Sequence, residues 1–258
     1  MKYFNWNDKK EVLWLVQREG LYLECASKEL RNDKDIVMAA IRQNGNALEF
    51  AQKTLRNDKE IVLAAVQKSG HSLVYASKKL RNDKGVVLNA VQQDGCALEF
   101  ASKKLRDNKD MVIASVRQQG HSLQYASKKL RNDKDVVIAA VQNDGMALQF
   151  TSKELCNDKE VVLTAVQQNG WALELASKEL RDNKEIILAA CENNIAVFEY
   201  ASPRLKQDQD IQKAARLELN IAQEPEKPDI DTVLGDAKKW CQEHNDTPTV
   251  QSQHNIER

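Results

Sequence analysis

The sequence predicts an all-α protein, an α-solenoid of about eight 25-residue helical hairpins. Three observations carry that prediction. Gly20, Gly45, Gly70, Gly95, Gly120, Gly145 and Gly170 follow one another at intervals of 25 residues, with no insertion or deletion. Such a period marks a stack of units, each burying its apolar face against its neighbours. Four Pro and nine Gly in 258 residues are too few for a turn-rich β protein or a disordered chain. Within the unit, Ala47, Leu48, Phe50, Ala51 and Leu55 follow helical spacing.

The repeat frame runs 1–25, 26–50, 51–75, 76–100, 101–125, 126–150, 151–175 and 176–200, with a capping unit at 201–220. In each unit a first helix starts at a stretch like "RNDKD", where Asn32 or Asp33 caps it and Asp35 or Glu60 sits at its positive end. Asn57 and Glu60 have capping-box spacing. The run Ile36 to Ile41 is apolar or small throughout, too broad for a one-sided helix, so it packs against both adjacent repeats. The glycine then closes the helix as a left-handed C-terminal cap. A shorter second helix follows, "NALEFAQKTL" from Asn46 to Leu55, with Glu49/Lys53 and Glu99/Lys103 as i, i+4 pairs on a solvated face. At a helix spacing of roughly 8–10 Å, the units form a right-handed rod on the order of 70–80 Å long. Gln212, Lys213 and Arg216 enter the apolar positions of the capping unit, as a wet terminal face requires. Residues 221–258 read as a linker, "AQEPEKPD", a short amphipathic helix carrying Val233, Leu234, Ala237, Trp240 and Cys241, and a polar, disordered tail.

The unit L-x-[FY]-A-S-K-x-L-R-N-D-K-[DE]-x-V-x-x-A-V-x-x-x-G, repeated seven times, resembles the helical repeats of domain-of-unknown-function family 4116 over roughly residues 5–215. That family is found in effector-like proteins of intracellular bacteria, in some protists and in large viruses. The resemblance implies a secreted bacterial effector or an effector-associated binding module, and it brings no catalytic residues. Its unit spans about two hairpins, and here His71, Ser72 and Tyr75 return as His121, Ser122 and Tyr125 fifty residues on.

Composition narrows the function classes. Thirty-eight basic and thirty-eight acidic side chains cancel, so no global field steers the chain to DNA or anionic lipid. The longest apolar runs, such as "VLWLV", are far short of a membrane span, and residues 1–12 lack the apolar core of a secretory signal. Five cysteines without a CxxC pair fit a reducing cytoplasm, or a host cytoplasm after translocation. His71/Tyr75 and His121/Tyr125 stand two repeats apart, too far to share a zinc ion, and the Ser and Tyr hydroxyls are expected to satisfy each other. "NDKD" lacks the glycine and closing glutamate of a calcium loop. No cysteine has a base beside it. The expectation is a monomer with no enzymatic activity, metal or cofactor.

What remains is binding. The residue after each glycine varies freely and includes Trp171. On the first helices one row reads Trp14, Ala39, Ala64, Asn89, Ala114, Ala139, Thr164, Ala189, and the next reads Arg42, Gln67, Gln92, Arg117, Gln142, Gln167, Glu192. A small-residue floor lined by long amides gives an extended peptide both room and hydrogen-bond partners. The residues expected to bind a partner protein are therefore Trp14, Gln67, Asn89, Gln92, Arg117, Gln142, Gln167 and Trp171. The alternative is a nucleic-acid binder using the ladder of Lys78-Lys79-x-Arg81, Lys103-Lys104-x-Arg106 and Lys128-Lys129-x-Arg131, each run half cancelled by the aspartate that follows it.

Overall fold

Each repeat starts where an Asp or Asn in extended backbone turns its side chain onto the free N–H groups of a helix. The structure, a computed structural model, describes residues 4–213. The eight-residue α1, Lys9–Val16, opens the series. Ten-residue helices follow at α2 (Lys34–Gln43), α3 (Lys59–Lys68) and α4 (Lys84–Gln93). After the single turn α5 (Lys103–Arg106) come α6 (Lys109–Gln118), α7 (Lys134–Asn143), α8 (Lys159–Gln168) and α9 (Lys184–Asn193). Asp33 accepts from Asp35 N and Ile36 N, and Asp58 from Glu60 N and Ile61 N, donors that a helix leaves unpaired. The cap is thus Asp33 rather than Asn32. The capping box expected between Asn57 and Glu60 does not form, because Asp58 takes the cap and Glu60 reaches Lys34 at 2.7 Å.

Each ten-residue helix ends because the next residue leaves helical backbone, as Asn44 does at φ −142°, ψ 113°. The following glycine is not in the left-handed region at any of the seven repeat positions, so the expected left-handed cap is wrong. Its need is steric. A Cβ at Gly45 would lie 2.5 Å from the Ala65 carbonyl oxygen of the next helix, and one at Gly95 would lie 2.6 Å from that of Ser115. Only glycine lets the two repeats approach so closely.

The second arm is not the α-helix expected. It is a six-residue 3₁₀ helix, Gly45–Phe50 in the second repeat, closed by extended Ala51 at φ −66°, ψ 149° and followed by a 3₁₀ turn at Leu55–Asn57. Asn44 seeds it by accepting from Asn46 N at 3.0 Å, and short pieces are where the tighter 3₁₀ winding is tolerated. Glu49 and Lys53 therefore do not share one helix, and no ion pair joins them or Glu99 and Lys103 among the described residues.

These elements stack as an all-α solenoid. The α-helices lie side by side in one layer and the 3₁₀ arms in a second, each arm packed on its own helix and on the next. The core runs between the layers and is filled from every repeat alike, by Ile36, Val37, Ala40 and Ile41 from the helix and Ala47 and Leu48 from the arm. Leu48, Leu73, Leu98, Leu123, Leu148 and Leu173 are fully buried. The aromatic row Phe50, Tyr75, Phe100, Tyr125, Phe150 is only half-buried, because it ends the arm at the edge of the layer.

Three ladders of polar contacts run along the stack. Ser77 N donates to Arg56 O and Ser102 N to Arg81 O, both at 2.9 Å. The same serines donate their hydroxyls to Asn57 and Asn82 of the preceding repeat, both at 2.6 Å. Lysines at the helix starts reach forward to carboxylates of the next repeat, from Lys9 through Lys184. In the capping unit Ile211 is buried and Lys213 exposed. Arg216, the expected helix around Trp240 and the tail lie outside the described residues.

Candidate partner-binding face

The outer face of the α-helix layer is built from three positions per repeat. Burial of Ile36, Val37, Ala40 and Ile41 leaves Met38, Ala39 and Arg42 toward solvent, because 3.6 residues per turn place them opposite the core. The alanine row is half-buried, and beside it lies a row the sequence reading missed: Leu63, Leu88, Ile113, Ile138, Leu163 and Leu188, also half-buried. Their apolar character had assigned them wholly to the core. Gln67, Gln92, Arg117, Gln142 and Gln167 form an exposed rim. Between α8 and α9 the surface dips into an open groove of about 480 Å³ lined by Leu163, Gln167, Leu188, Ala189 and Glu192, with Lys184 and Glu185 at one end.

Amides at adjacent positions have opposite fates. One residue past the rim, Asn143 Nδ2 donates to Arg117 O at 3.0 Å while its Oδ1 accepts from Gly120 N at 2.7 Å. Gln168 and Asn193 bridge their repeats in the same way. Those side chains are spent on the fold. Rim side chains Gln92, Arg117, Gln142 and Gln167 form no hydrogen bond among the described residues, and Gln67 reaches only Asn89, at 3.4 Å.

Asn89 is half-buried in the alanine row and donates to Gly85 O at 2.9 Å. Trp14 stands exposed at the first repeat with the Arg18 guanidinium 3.7 Å over its ring. Trp171 is exposed, but it belongs to a 3₁₀ arm and not to the helix face. Its ring stands edge-on to Tyr200, 6.2 Å between centroids. His71 and His121 make the same contact with Phe100 and Phe150. At these three repeats the residue after glycine rests its ring against the next repeat while staying exposed.

The hydroxyl pairing expected of the His–Ser–Tyr sets is also corrected. Ser72 donates to Asn46 Oδ1 at 3.0 Å, and the Ser115 and Ser122 hydroxyls lie 2.6 Å apart. The tyrosines turn to a glutamate one repeat back: burial and a hydrogen bond to Glu49 push the Tyr75 hydroxyl above its ordinary value. His121 Nδ1 lies against Asp144. No group of three or more His, Cys, Asp or Glu able to hold a metal ion is gathered among the described residues, and no helix there is long and apolar enough to cross a membrane. Cys191 is buried, and burial pushes its thiol up to about 11.

The aspartates after the basic runs are engaged elsewhere. Asp83 pairs with Lys59 at 2.7 Å and Asp133 with Lys109 at 2.9 Å, so they cancel less of Lys78, Lys79, Lys128 and Lys129 than their sequence position implies.

No curated protein and no solved structure matches the chain. One family model matches five times, over residues 12–56, 58–106, 108–156, 133–181 and 183–215. Two of those matches, 108–156 and 133–181, are offset by a single 25-residue repeat, so the family's unit takes two repeats in either register. Covering most of the solenoid, these matches make the chain a member of the family described as domain of unknown function (DUF4116).

Proposed function

We propose that the chain is a non-catalytic, monomeric scaffold that holds an extended segment of a partner protein along the outer face of its α-helices. The observation that carries the reading is the contrast between neighbouring amides. Asn143 and Gln168 are consumed by the fold, whereas Gln142 and Gln167 beside them are unspent, as is Gln92, and all three rim a floor of half-buried Ala, Leu and Ile. Unspent donors and acceptors beside apolar surface suit a peptide backbone and alternate side chains. Replacing Gln92, Arg117 and Gln142 together by Glu is expected to leave the melting curve unchanged and to abolish partner capture. Capture that survives the triple change overturns the reading.

A second reading, nucleic-acid binding along the Lys78–Arg81 edge, is favoured by the engagement of Asp83 and Asp133 with lysines of the preceding repeat. A steep loss of affinity with salt would support it over the first. A role as a translocated effector rests on kinship alone, and a reporter-fusion secretion assay in an intracellular bacterium tests it separately.

A further inference from the structure

The lysine ladder has a break in the middle of the stack. In its regular form each lysine reaches two carboxylates: Lys34 meets Asp58 at 3.2 Å and Glu60 at 2.7 Å, and Lys109 meets Asp133 at 2.9 Å and Asp135 at 2.7 Å. At α4 the second carboxylate is missing because residue 85 is Gly, and Lys59 reaches Asp83 alone. At α6 the first is missing because residue 108 is Asn, and Lys84 has only Asp110, at 4.0 Å. Lys59 and Lys84 are the two most exposed amines of the row. A single omission recurs at Asn183, but there Lys159 keeps Glu185 at 2.5 Å.

Gly85 is unlike the seven glycines of the repeat. Its φ is not in the left-handed region, and a Cβ there would meet nothing closer than the Asp83 carboxylate at 3.3 Å. Asp35 and Glu60 show that the same position, beside the same kind of cap, takes a long side chain. Glycine is disfavoured in a helix, so the fold gains nothing from it here. What it leaves is open space above a backbone carbonyl already bonded to Asn89, the one amide in a row otherwise of Ala, Thr and Trp.

We propose that this gap receives an Asp or Glu side chain of the partner's extended segment, its carboxylate lying over Gly85 between Lys59 and Lys84. The proposal rests on the binding face described above and supplies its register. Charge complementarity selects the occupant. The starts of α2, α3, α7 and α8 each carry two carboxylates against one lysine; those of α4, α6 and α9 carry one of each, and only α4 and α6 lie next to each other in the helix layer, with α2 and α3 on one side and α7 and α8 on the other. An acidic residue is repelled along the flanks and accepted at the centre. Arg117 on the nearby rim favours the same sign, and Glu192 near the far end opposes it.

The test selects short peptides from a random displayed library on the full chain and titrates the winners by fluorescence polarisation. Winners are expected to share an Asp or Glu at one position. Gly85→Glu, which refills the ladder, is expected to weaken them by about tenfold or more, and Gly85→Ala to leave them unchanged. Both variants are expected to melt no lower than the parent, which separates lost binding from lost fold. Winners that lose binding on the Gln92, Arg117 and Gln142 triple change, yet share no acid and ignore Gly85→Glu, overturn the anchor and leave the binding face standing. Winners that ignore both changes, or no winners at all, overturn the face as well. Displacement of winners by inorganic phosphate at low concentration shows a simple anion site and overturns the peptide anchor.

Discussion

His71 stands edge-on to Phe100 of the following repeat, 5.0 Å between ring centroids and 87° between planes. The relationship recurs at His121–Phe150 and Trp171–Tyr200, each 29 residues apart and each pair one double repeat from the last. An edge-to-face pair of this kind is worth about 0.5–1.5 kcal/mol beyond its buried area. A double-mutant cycle with His71→Ala and Phe100→Ala in urea unfolding is expected to return a coupling of that size. Additive losses would show that the rings do not interact.

Glycines of the two kinds are expected to respond oppositely. Gly95→Ala drives a Cβ to 2.6 Å from the Ser115 carbonyl oxygen of the next repeat's helix and 3.0 Å from Cβ of Gln119, the residue that follows that helix. It is expected to destabilise by more than about 1 kcal/mol, as overpacking does. Gly85→Ala meets no such wall and is expected to stabilise by a few tenths to about 1 kcal/mol. Urea midpoints that move the same way for both would refute the steric account.

Leu123 is fully buried between the helix and arm layers. Leu123→Ala is expected to cost roughly 2–5 kcal/mol. A loss below about half a kcal/mol would place the row at the surface.

The lysine ladder predicts stability lost at both ends of the pH range. Its bond to Lys59 holds the Asp83 carboxyl below the ordinary value of 3.8, and Lys134 does the same for Asp158. Carboxyls held down only in the folded chain add stability above 3.8, lost as pH falls through their depressed values. Lys34, bonded to Glu60 and Asp58, and Lys109, bonded to Asp135 and Asp133, are held above 10.5. They add stability below 10.5, lost as pH rises through their raised values. The melting temperature is expected to be flat between these limits, with both limbs shallower in high salt because the pairs are exposed. Melting unchanged down to about pH 2 would contradict the ladder.

Much of this architecture was legible in the residues, because a solenoid repeats its constraints. The 25-residue glycine spacing, the apolar run Ile36 to Ile41 and the buried Leu48 row each announce one feature of the unit. The second arm was not legible: the spacing of Ala47, Leu48 and Ala51 suits an α-helix and a 3₁₀ helix broken at an extended alanine equally well. Neither was the purpose of Gly45, whose obstacle is Ala65 of another repeat. On the candidate face, Gln67, Gln92, Gln142 and Gln167 stand exposed, and Trp171, read from its place after Gly170 as a second-arm residue, lies on that arm and away from the helix face. Gln167 and Gln168 are the same residue type side by side, and only the approach of the preceding repeat makes one structural.

The backbone ladder has one missing rung. Ser77, Ser102, Ser127 and Ser177 each donate N–H to the preceding repeat, but Ser152 does not. It follows Thr151, which stands where other repeats have Ala, has ψ 176° and donates its hydroxyl to Leu148 O at 2.9 Å. The Ser152 amide is expected to exchange fastest of the five in hydrogen–deuterium exchange, and Thr151→Ala to slow it. Equal protection at all five would refute this.

Because each unit lends an amine forward to one or two carboxylates of the unit ahead, every junction has the same polarity. Copying a pair of units in the gene inserts fifty residues and leaves every junction chemically as it was, with the His–Phe alternation in phase. Copying a single unit breaks that phase. The array is thus a ruler that lengthens in double steps, and the gap at Gly85 is a mark carried inside one pair of units, whose distance from either end grows by fifty residues with each pair copied on that side.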